Sequence, residues 1–199
     1  MNPNMFESYF ITSPLLYPQN SVEIFYHHLR NISLHHSIDK ACFRDNVNII
    51  PIDLIKVFAQ WCQSHHIKSF LNLSNTSLSL KIANQCNIDG IHIKSNQLHT
   101  IKIAISEKKS IFYSAHQSNE ILQALDLGAH FVTISPIFPT PNKPKPLGID
   151  YCSHLNSHIK PHLFALGGII TEEQINAIKS FHLRGFGSIR YFLPHNLVF

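Results

Sequence analysis

Short apolar segments alternate with longer amphipathic segments along nearly all of this 199-residue chain. The short segments predict strands over residues 8–12, 40–44, 68–73, 90–93, 110–113, 131–134, 163–166 and 185–189. The segments that follow them predict helices over residues 21–34, 52–64, 78–86, 97–108, 118–127, 149–155, 172–181 and 191–197. Eight strand and helix pairs in alternation are typical of a closed (β/α)8 barrel, and they favour it over an open doubly wound sheet.

The turns and the length of the chain agree with one small α/β domain of this kind. The first strand-to-helix turn, Thr12-Ser-Pro-Leu-Leu-Tyr-Pro18, has none of the glycines of a dinucleotide-binding fingerprint. Pro194 interrupts the last predicted helix. With 44% apolar residues in 199 positions, we expect a single TIM barrel domain over residues 1–199, with short loops and a truncated final helix.

The composition argues against several classes of function. No apolar run reaches the ~18 residues of a membrane span, and segment 1–7 lacks the order of a signal peptide. We therefore expect a cytoplasmic protein without a membrane partner. The formal charge of +4 comes from scattered basic residues, which disfavours nucleic acid and suits small anionic molecules. The four cysteines, without a Cys-x-x-Cys pair, are expected to be mostly buried thiols, and the histidine doublets are interpreted as surface or packing residues.

Two predicted strand ends carry the residue types of a phosphate site. The sixth strand runs into a Pro-rich segment ending at Gly148, with three polar residues: Thr140, Asn142 and Lys143. The seventh strand ends in Gly167-Gly168, and the next helix begins near Thr171. Paired glycines let backbone N–H groups approach an anion closely, and a helix N-terminus adds a favourable dipole. Because a barrel gathers its carboxyl strand ends on one face, these segments are expected to hold a phosphorylated small molecule together.

Motifs at these strand ends resemble the thiamine phosphate synthase family, including its thiazole tautomerase relatives, over nearly the whole chain. In chain order they are Ser8-Tyr-Phe-Ile-Thr12, Phe43-Arg44-Asp45, Asp89-Gly-Ile-His-Ile93, Ser114-Ala-His116, Leu127-Gly-Ala-His-Phe-Val-Thr-Ile-Ser-Pro-Ile-Phe-Pro-Thr-Pro-Asn-Lys143 and Ala165-Leu-Gly-Gly-Ile169. The resemblance implies a barrel that joins hydroxymethylpyrimidine diphosphate to thiazole phosphate and releases pyrophosphate. It also implies ionisation to a stabilised pyrimidine cation, which the thiazole nitrogen captures, with Mg²⁺ and basic residues around the leaving group.

One half of the implied pocket binds the thiazole phosphate. Thr140 and Asn142 occupy the two positions that contact this phosphate, where the family usually has threonine at both. Gly168 matches the phosphate-binding glycine. Ile189 and Arg190 fall where the family has a small residue pair, so Arg190 either adds a cation or occludes the site.

The other half of the implied pocket binds the diphosphate substrate. Arg44 matches an arginine that faces the diphosphate, Ser114 matches the serine after the fifth strand, and Lys143 matches a lysine that reaches the pyrophosphate. Cys42 and Asn46 stand where the family has a glutamine and a phosphate-facing lysine. The charge that should stabilise the leaving group is therefore reduced on this side.

The metal ligands of the family are missing from the expected positions. The Asn-Asp pair of the family falls in segment 72–77, which has no carboxylate. From this segment, Asn75 is assigned to substrate binding. The later aspartate of the family aligns with Gln97. Among the predicted strand ends, the one acid is Asp45. Mg²⁺ is normally held by one or two carboxylates and phosphate oxygens, so no metal ligand is assigned, and Lys94 or Arg190 would replace the lost charge.

The sequence leaves two functions open. One is a divergent thiamine phosphate synthase, a transferase whose activity the missing carboxylates put in question. The other is a catalytically impaired paralogue that binds thiazole phosphate or another phosphorylated metabolite. The tautomerase activity is disfavoured because Pro136 stands at the catalytic histidine position, and His92 is interpreted as a packed neutral imidazole. A homo-oligomer is also left open.

Overall fold

A computed structural model describes residues 6–46, 51–194 and 197. Its strands are β1 (Glu7–Ile11), β2 (Lys40–Arg44), β3 (Lys68–Asn72), β4 (Gly90–Ile93), β5 (Ser110–Ala115), β6 (Phe131–Ile134), β7 (Leu163–Leu166) and β8 (Gly185–Ser188). The α-helices are α1 (Val22–His35), α2 (Ile52–Ser64), α3 (Thr76–Gln85), α4 (Ile101–Ser106), α5 (Ser118–Asp126) and α6 (Glu172–Lys179). Short 3₁₀ segments occupy Pro14–Leu16, Pro18–Asn20, Ser95–Thr100, Ile149–Ser153, Lys160–His162 and Arg190–Phe192.

The eight strands form one closed parallel barrel in sequence order. The barrel closes between β1 and β8, where Tyr9 is in register with Gly187. In the neighbouring β1–β2 pair, Tyr9 is in register with Lys40. The expected (β/α)8 barrel is thereby confirmed. In the described ranges, no helix has the length and apolar character needed to cross a membrane.

Local sequence explains where several helices begin. The Ser21 hydroxyl accepts a hydrogen bond from Ile24 N at the start of α1. At α6 the predicted start near Thr171 is confirmed: Thr171 is the N-cap and forms a reciprocal capping box with Gln174. The α3 helix starts two residues earlier than predicted because the Asn75 side chain caps it at Leu78 N.

The outer helices bury one face against the barrel. In α2, Leu54, Phe58 and Trp61 recur at helical spacing and are almost completely buried. The four cysteines are buried thiols, as expected.

Three predicted helices were too long, namely 97–108, 149–155 and 191–197. The first begins as the 3₁₀ segment Ser95–Thr100, which precedes α4. The other two are reduced to the 3₁₀ segments Ile149–Ser153 and Arg190–Phe192. Positions 195 and 196 of the last one lie outside the described residues.

Aromatic rings fill the barrel interior. Tyr9 stacks on Phe112 with ring centroids 4.2 Å apart, and Phe70 and Phe164 meet these rings edge to face. These residues form a separate buried cluster with Ile11 and Cys42. Since side chains on a strand alternate between its two faces, Asn72 and Arg44 point inward as Phe70 and Cys42 do, one step nearer the carboxyl ends. The aromatic cluster therefore forms the floor of a polar opening, which we call the barrel mouth.

Candidate active site at the barrel mouth

The Pro-rich loop after β6 is fixed to the end of β7. Ile137 N donates to the Leu166 carbonyl at 2.9 Å, and Phe138 N donates to the Gly167 carbonyl at 3.0 Å. At its far end, Gly148 N donates back to the Ile137 carbonyl at 3.1 Å. The loop and the Gly-Gly turn thus form one surface, as the sequence predicted.

Only glycine fits the turn after β7. Gly167 and Gly168 have φ values of +93° and +72°, in the left-handed region. A Cβ on Gly168 would lie 2.6 Å from the carbonyl oxygens of Phe138 and Pro139. No hydrogen bond within the described residues uses the N–H of Gly168. The turn therefore keeps a backbone donor beside the Pro-rich loop, at the start of the segment that leads into α6.

The loop brings one of its three predicted phosphate contacts against this turn. The Thr140 hydroxyl donates to the Phe138 carbonyl at 3.0 Å and would lie 3.4 Å from a Cβ built on Gly167. Asn142 has a φ of +58° at the tip of a turn that Lys143 N closes onto the Thr140 carbonyl at 3.3 Å. The Asn142 and Lys143 side chains are exposed. Their contact with a ligand stays a prediction.

The end of β8 is tied to the same turn by Ser188, a strand-end serine to which the sequence assigned no specific contact. The buried Ser188 hydroxyl donates to the Ile169 carbonyl at 2.7 Å and accepts from Tyr191 N at 3.2 Å. Ile189 and Arg190 follow directly and are half-buried. A strand-end serine is a weak sequence signal, because many such residues only cap a turn.

Arg44 lies across the mouth from the glycine turn. Its backbone N–H donates to the Thr12 hydroxyl at 3.0 Å, while no hydrogen bond or ion pair holds its guanidinium among the described residues. The neighbouring Asp45 is buried and accepts a 2.9 Å hydrogen bond from the Tyr17 hydroxyl. Burial raises the pKa of Tyr17 well above its ordinary value, and the Asp45 charge adds to the effect. Asp45 therefore faces a neutral phenol.

Cys42 and Asn75 are placed where direct contact with a ligand is restricted. Cys42 is fully buried in the aromatic cluster, and burial raises the pKa of its thiol to about 12. Asn75 is exposed, with its carbonyl oxygen 2.9 Å from Leu78 N in the α3 cap. Asn72 is the inward-facing amide at this strand end: it is buried, and its Oδ1 has no hydrogen-bond partner in the described chain.

A network of neutral groups and one ammonium group links the ends of β2, β3 and β4. Lys94 Nζ donates to Asn46 Oδ1 at 2.7 Å and to the Ser74 carbonyl at 3.3 Å. Gln97 Oε1 accepts from the N–H and the hydroxyl of Thr76 at 2.9 and 2.6 Å. The positions of Asn46, segment 72–77 and Gln97, which the sequence singled out separately, are thereby brought together.

A buried hydrogen-bonded chain supports Ser114 from below. Ser114 lies inside β5, not after it, because the strand runs to Ala115. Tyr9 Oη is 2.9 Å from His92 Nδ1, and His92 Nε2 is 2.9 Å from Ser114 Oγ. Burial lowers the pKa of His92 to about 3, with a contribution from the Arg44 charge, which confirms the neutral packed imidazole. When Tyr9 donates to Nδ1, the ring proton sits on Nε2 and is donated to Ser114, whose own O–H is then free for a ligand.

Comparisons with a family model and with individual relatives indicate the same family. The sequence model of the thiamine monophosphate synthase family matches residues 51–191 of this chain. This match begins after the end of β2, where Arg44 lies. The thiamine-phosphate synthase of Lawsonia intracellularis is 33% identical over 93 residues, which cover 44% of this chain and 43% of that protein. That of Prochlorococcus marinus is 31% identical over 128 residues, covering 62% and 35%. The match therefore spans less than half the length of these relatives.

A solved structure shares the fold. The thiamine phosphate pyrophosphorylase from Pyrococcus furiosus superposes with a TM-score of 0.72 at 19% identity, covering 94% of this chain and 87% of that one. Because the family model also matches more than half of the chain, the protein belongs to the thiamine monophosphate synthase family.

Proposed function

We propose that the protein is a thiamine phosphate synthase, which joins hydroxymethylpyrimidine diphosphate to thiazole phosphate and releases pyrophosphate. The observation that carries the proposal is the surface formed by the Pro-rich loop and the Gly167-Gly168 turn, with an unused N–H at Gly168 and the Thr140 hydroxyl beside it. The named relatives are synthases, which favours this activity over the catalytically impaired binding protein.

The thiazole phosphate is assigned to this surface. Thr140 and Gly168 contact its oxygens, Asn142 assists, and the backbone at Ile189 and Arg190 closes the side next to β8. The glycine N–H donates to an anion without a Cβ in the way, and the Thr140 hydroxyl donates to a phosphate oxygen once it turns away from the Phe138 carbonyl that it contacts here. Binding in this place orients the thiazole nitrogen toward the centre of the mouth.

The diphosphate substrate is assigned to the opposite side. As the bond between the diphosphate oxygen and the pyrimidine methylene breaks, negative charge develops on the diphosphate. Two basic residues stabilise this charge: Arg44, and Lys143, which reaches across from the loop. The electron pair leaves with the diphosphate, and the thiazole nitrogen lone pair then forms the new carbon–nitrogen bond. Ser114 donates a hydrogen bond near the reacting centre. No proton has to be removed, so the absence of an acid–base pair from these roles is consistent with the chemistry.

Mg²⁺ is a general requirement of thiamine phosphate synthases, but the described residues of this mouth do not fit it. They contain no cluster of three acidic, histidine or cysteine side chains that could hold a metal ion. At the expected position, Gln97 uses its carbonyl oxygen on Thr76, and Asn75 caps α3. Asp45, the remaining acid, is buried against Tyr17. Amide oxygens supply no charge to hold a hard cation.

Turnover of the two substrates tests the proposal. Purified protein, with and without Mg²⁺, is expected to form thiamine phosphate and pyrophosphate in equal amounts. Lys143→Ala removes a charge-assisted hydrogen bond and is expected to lower kcat/KM by roughly 10- to 100-fold. Lys145→Ala, an exposed lysine of the same loop, is the matched control and is expected to retain activity.

Two results would contradict the proposal. One is the absence of thiamine phosphate above the blank under both metal conditions. The other is tight binding of thiazole phosphate without turnover, which would support the binding protein instead. The single domain over residues 1–199, the cytoplasmic location and a homo-oligomeric state stay predictions.

A further inference from the structure

Among the residues that the structure describes, neutral groups hold Lys94 in the barrel mouth. It follows β4 two residues after His92, and strand alternation directs both side chains inward. Its Nζ contacts Asn46 Oδ1 and the Ser74 carbonyl, which fixes the ammonium group between the ends of β2 and β3. Within the described residues, the ion pairs involve other groups and none reaches Lys94. The third donor of the ammonium group is therefore available to a ligand.

A second cation lies close enough to affect Lys94. Burial lowers the pKa of Lys94, and the charge of Arg44 lowers it further. The Arg44 charge also reaches His92, whose pKa it lowers. Like charges brought together in a partly buried opening repel each other, and an anion between them relieves that repulsion.

Another cation near the mouth, Arg190, is less well placed for this role. It starts the 3₁₀ turn Arg190–Phe192 after β8, on the side of the glycine turn, and no side-chain contact in the described residues fixes it. Lys94 stands instead on the β2–β4 side, next to Asn46 and the Gln97–Thr76 contact. Of the two basic residues considered as replacements for lost charge, the contacts therefore favour Lys94.

We propose that Lys94 and Arg44 together bind the diphosphate of the substrate directly and supply the positive charge for its departure, so that the protein works without a divalent cation. The proposal rests on the synthase function. In the step it assists, the carbon–oxygen bond to the diphosphate breaks, both electrons stay on the departing oxygen, and the carbon–nitrogen bond to the thiazole forms. Lys94 keeps its proton throughout and acts as a hydrogen-bond donor and a charge.

Calorimetric titration with inorganic pyrophosphate, in EDTA and in Mg²⁺, tests the site without turnover. The whole protein is expected to bind pyrophosphate in EDTA. Lys94→Gln is expected to weaken that binding by roughly 10- to 100-fold, and Lys94→Arg to retain most of it, because it keeps the charge. Lys81→Gln, which removes an exposed lysine from α3, is the control for net charge and is expected to bind as the parent does. Circular dichroism checks that each variant is folded.

The outcomes separate this proposal from the synthase function. Pyrophosphate binding that requires Mg²⁺, or that Lys94→Gln leaves unchanged in EDTA, would overturn the proposal, even when thiamine phosphate is formed. Binding in EDTA that depends on Lys94, together with no thiamine phosphate from the two substrates, would uphold the anion site and refute the synthase. Product formation in EDTA that falls in Lys94→Gln and recovers in Lys94→Arg would support both.

Discussion

Glu7→Gln is expected to destabilise the barrel strongly, because it leaves a lysine charge buried beneath the aromatic cluster. Glu7 pairs with both Lys40 and Arg184 at the amino ends of the strands. The Glu7 and Lys40 side chains are each only 7% exposed, whereas that of Arg184 is 16% exposed. Burial alone would raise the pKa of Glu7, but hydrogen bonds from Arg184 and Lys40 outweigh it, and the net pKa is lowered. The carboxylate is thus the group that compensates the buried ammonium.

The magnitude follows from that burial. Removing one partner of a buried ion pair costs about 3–5 kcal/mol, mainly from the charge left without a partner. Arg184 can reach water, so most of the cost falls on Lys40, whose Nζ lies 4.9 Å from the centre of the Phe131 ring. That ring recovers part of the cost through a cation–π contact, which places the expected loss near 3 kcal/mol. In a domain of this size each kcal/mol shifts Tm by roughly 2–4 °C, so a decrease of about 6–12 °C is expected.

Urea denaturation followed by circular dichroism measures the free energy of unfolding, and a double variant supplies the control. Adding Lys40→Met to Glu7→Gln replaces the buried ammonium with an apolar chain of similar length and should restore at least half of the lost stability. A loss below about 1 kcal/mol for Glu7→Gln, or a double variant no more stable than Glu7→Gln alone, would refute the assignment of the cost to a stranded charge.

The other predictions concern the site and pH. Gly168→Ala should lower thiazole phosphate affinity in calorimetry at least tenfold, since its Cβ would strike backbone oxygens at 2.6 Å, whereas Gly148→Ala, with positive φ but nothing within 4 Å, should bind normally. His92→Leu should reduce kcat and cost about 1–3 kcal/mol in urea denaturation, and Tyr9→Phe should reduce kcat less; equal activity in all three proteins would contradict the supporting role. The folded pKa of Glu7 lies below its ordinary value of 4.5, so its stabilisation is complete above that pH and is lost as pH falls through the lower folded value. Between pH 7 and pH 3, the free energy of unfolding should therefore fall more for the parent than for the Glu7→Gln/Lys40→Met variant. Urea denaturation at several pH values measures this difference.

The fold and the contact between the Pro-rich loop and the glycine turn were predictable because both depend on local patterns. Short apolar segments marked the strands, and β2, β4, β6 and β7 begin and end where predicted. Gly167 and Gly168 were identifiable because a turn after a strand requires backbone that no other residue adopts easily. The contact between this turn and the Pro-rich loop followed from the rule that carboxyl strand ends of a barrel share one face.

Other parts of the site depend on contacts between distant residues. Nothing in the segment around Asn75 shows that its amide caps α3, or that Asn72, three residues earlier, is the one that faces inward. The chain of Tyr9, His92 and Ser114 joins three strands through side chains, and no spacing within the sequence encodes it. Helix lengths were overestimated where 3₁₀ turns replace the first or last turn of a helix, because both share a similar apolar period.

The charges of the mouth show why missing residues are a weaker guide to activity than the contacts that replace them. In the sequence, Asn46, Gln97 and the segment 72–77 are losses, each lacking a lysine or an acid that the family would have. In the structure, the lysine that Asn46 replaces has a counterpart in Lys94, whose ammonium group Asn46 itself holds. Losing acids and keeping a lysine both make the opening more positive, so the two changes act in the same direction on a bound diphosphate. A metal ion would be repelled by such a site, whereas a diphosphate would be attracted, and that difference in sign is what the EDTA titration measures.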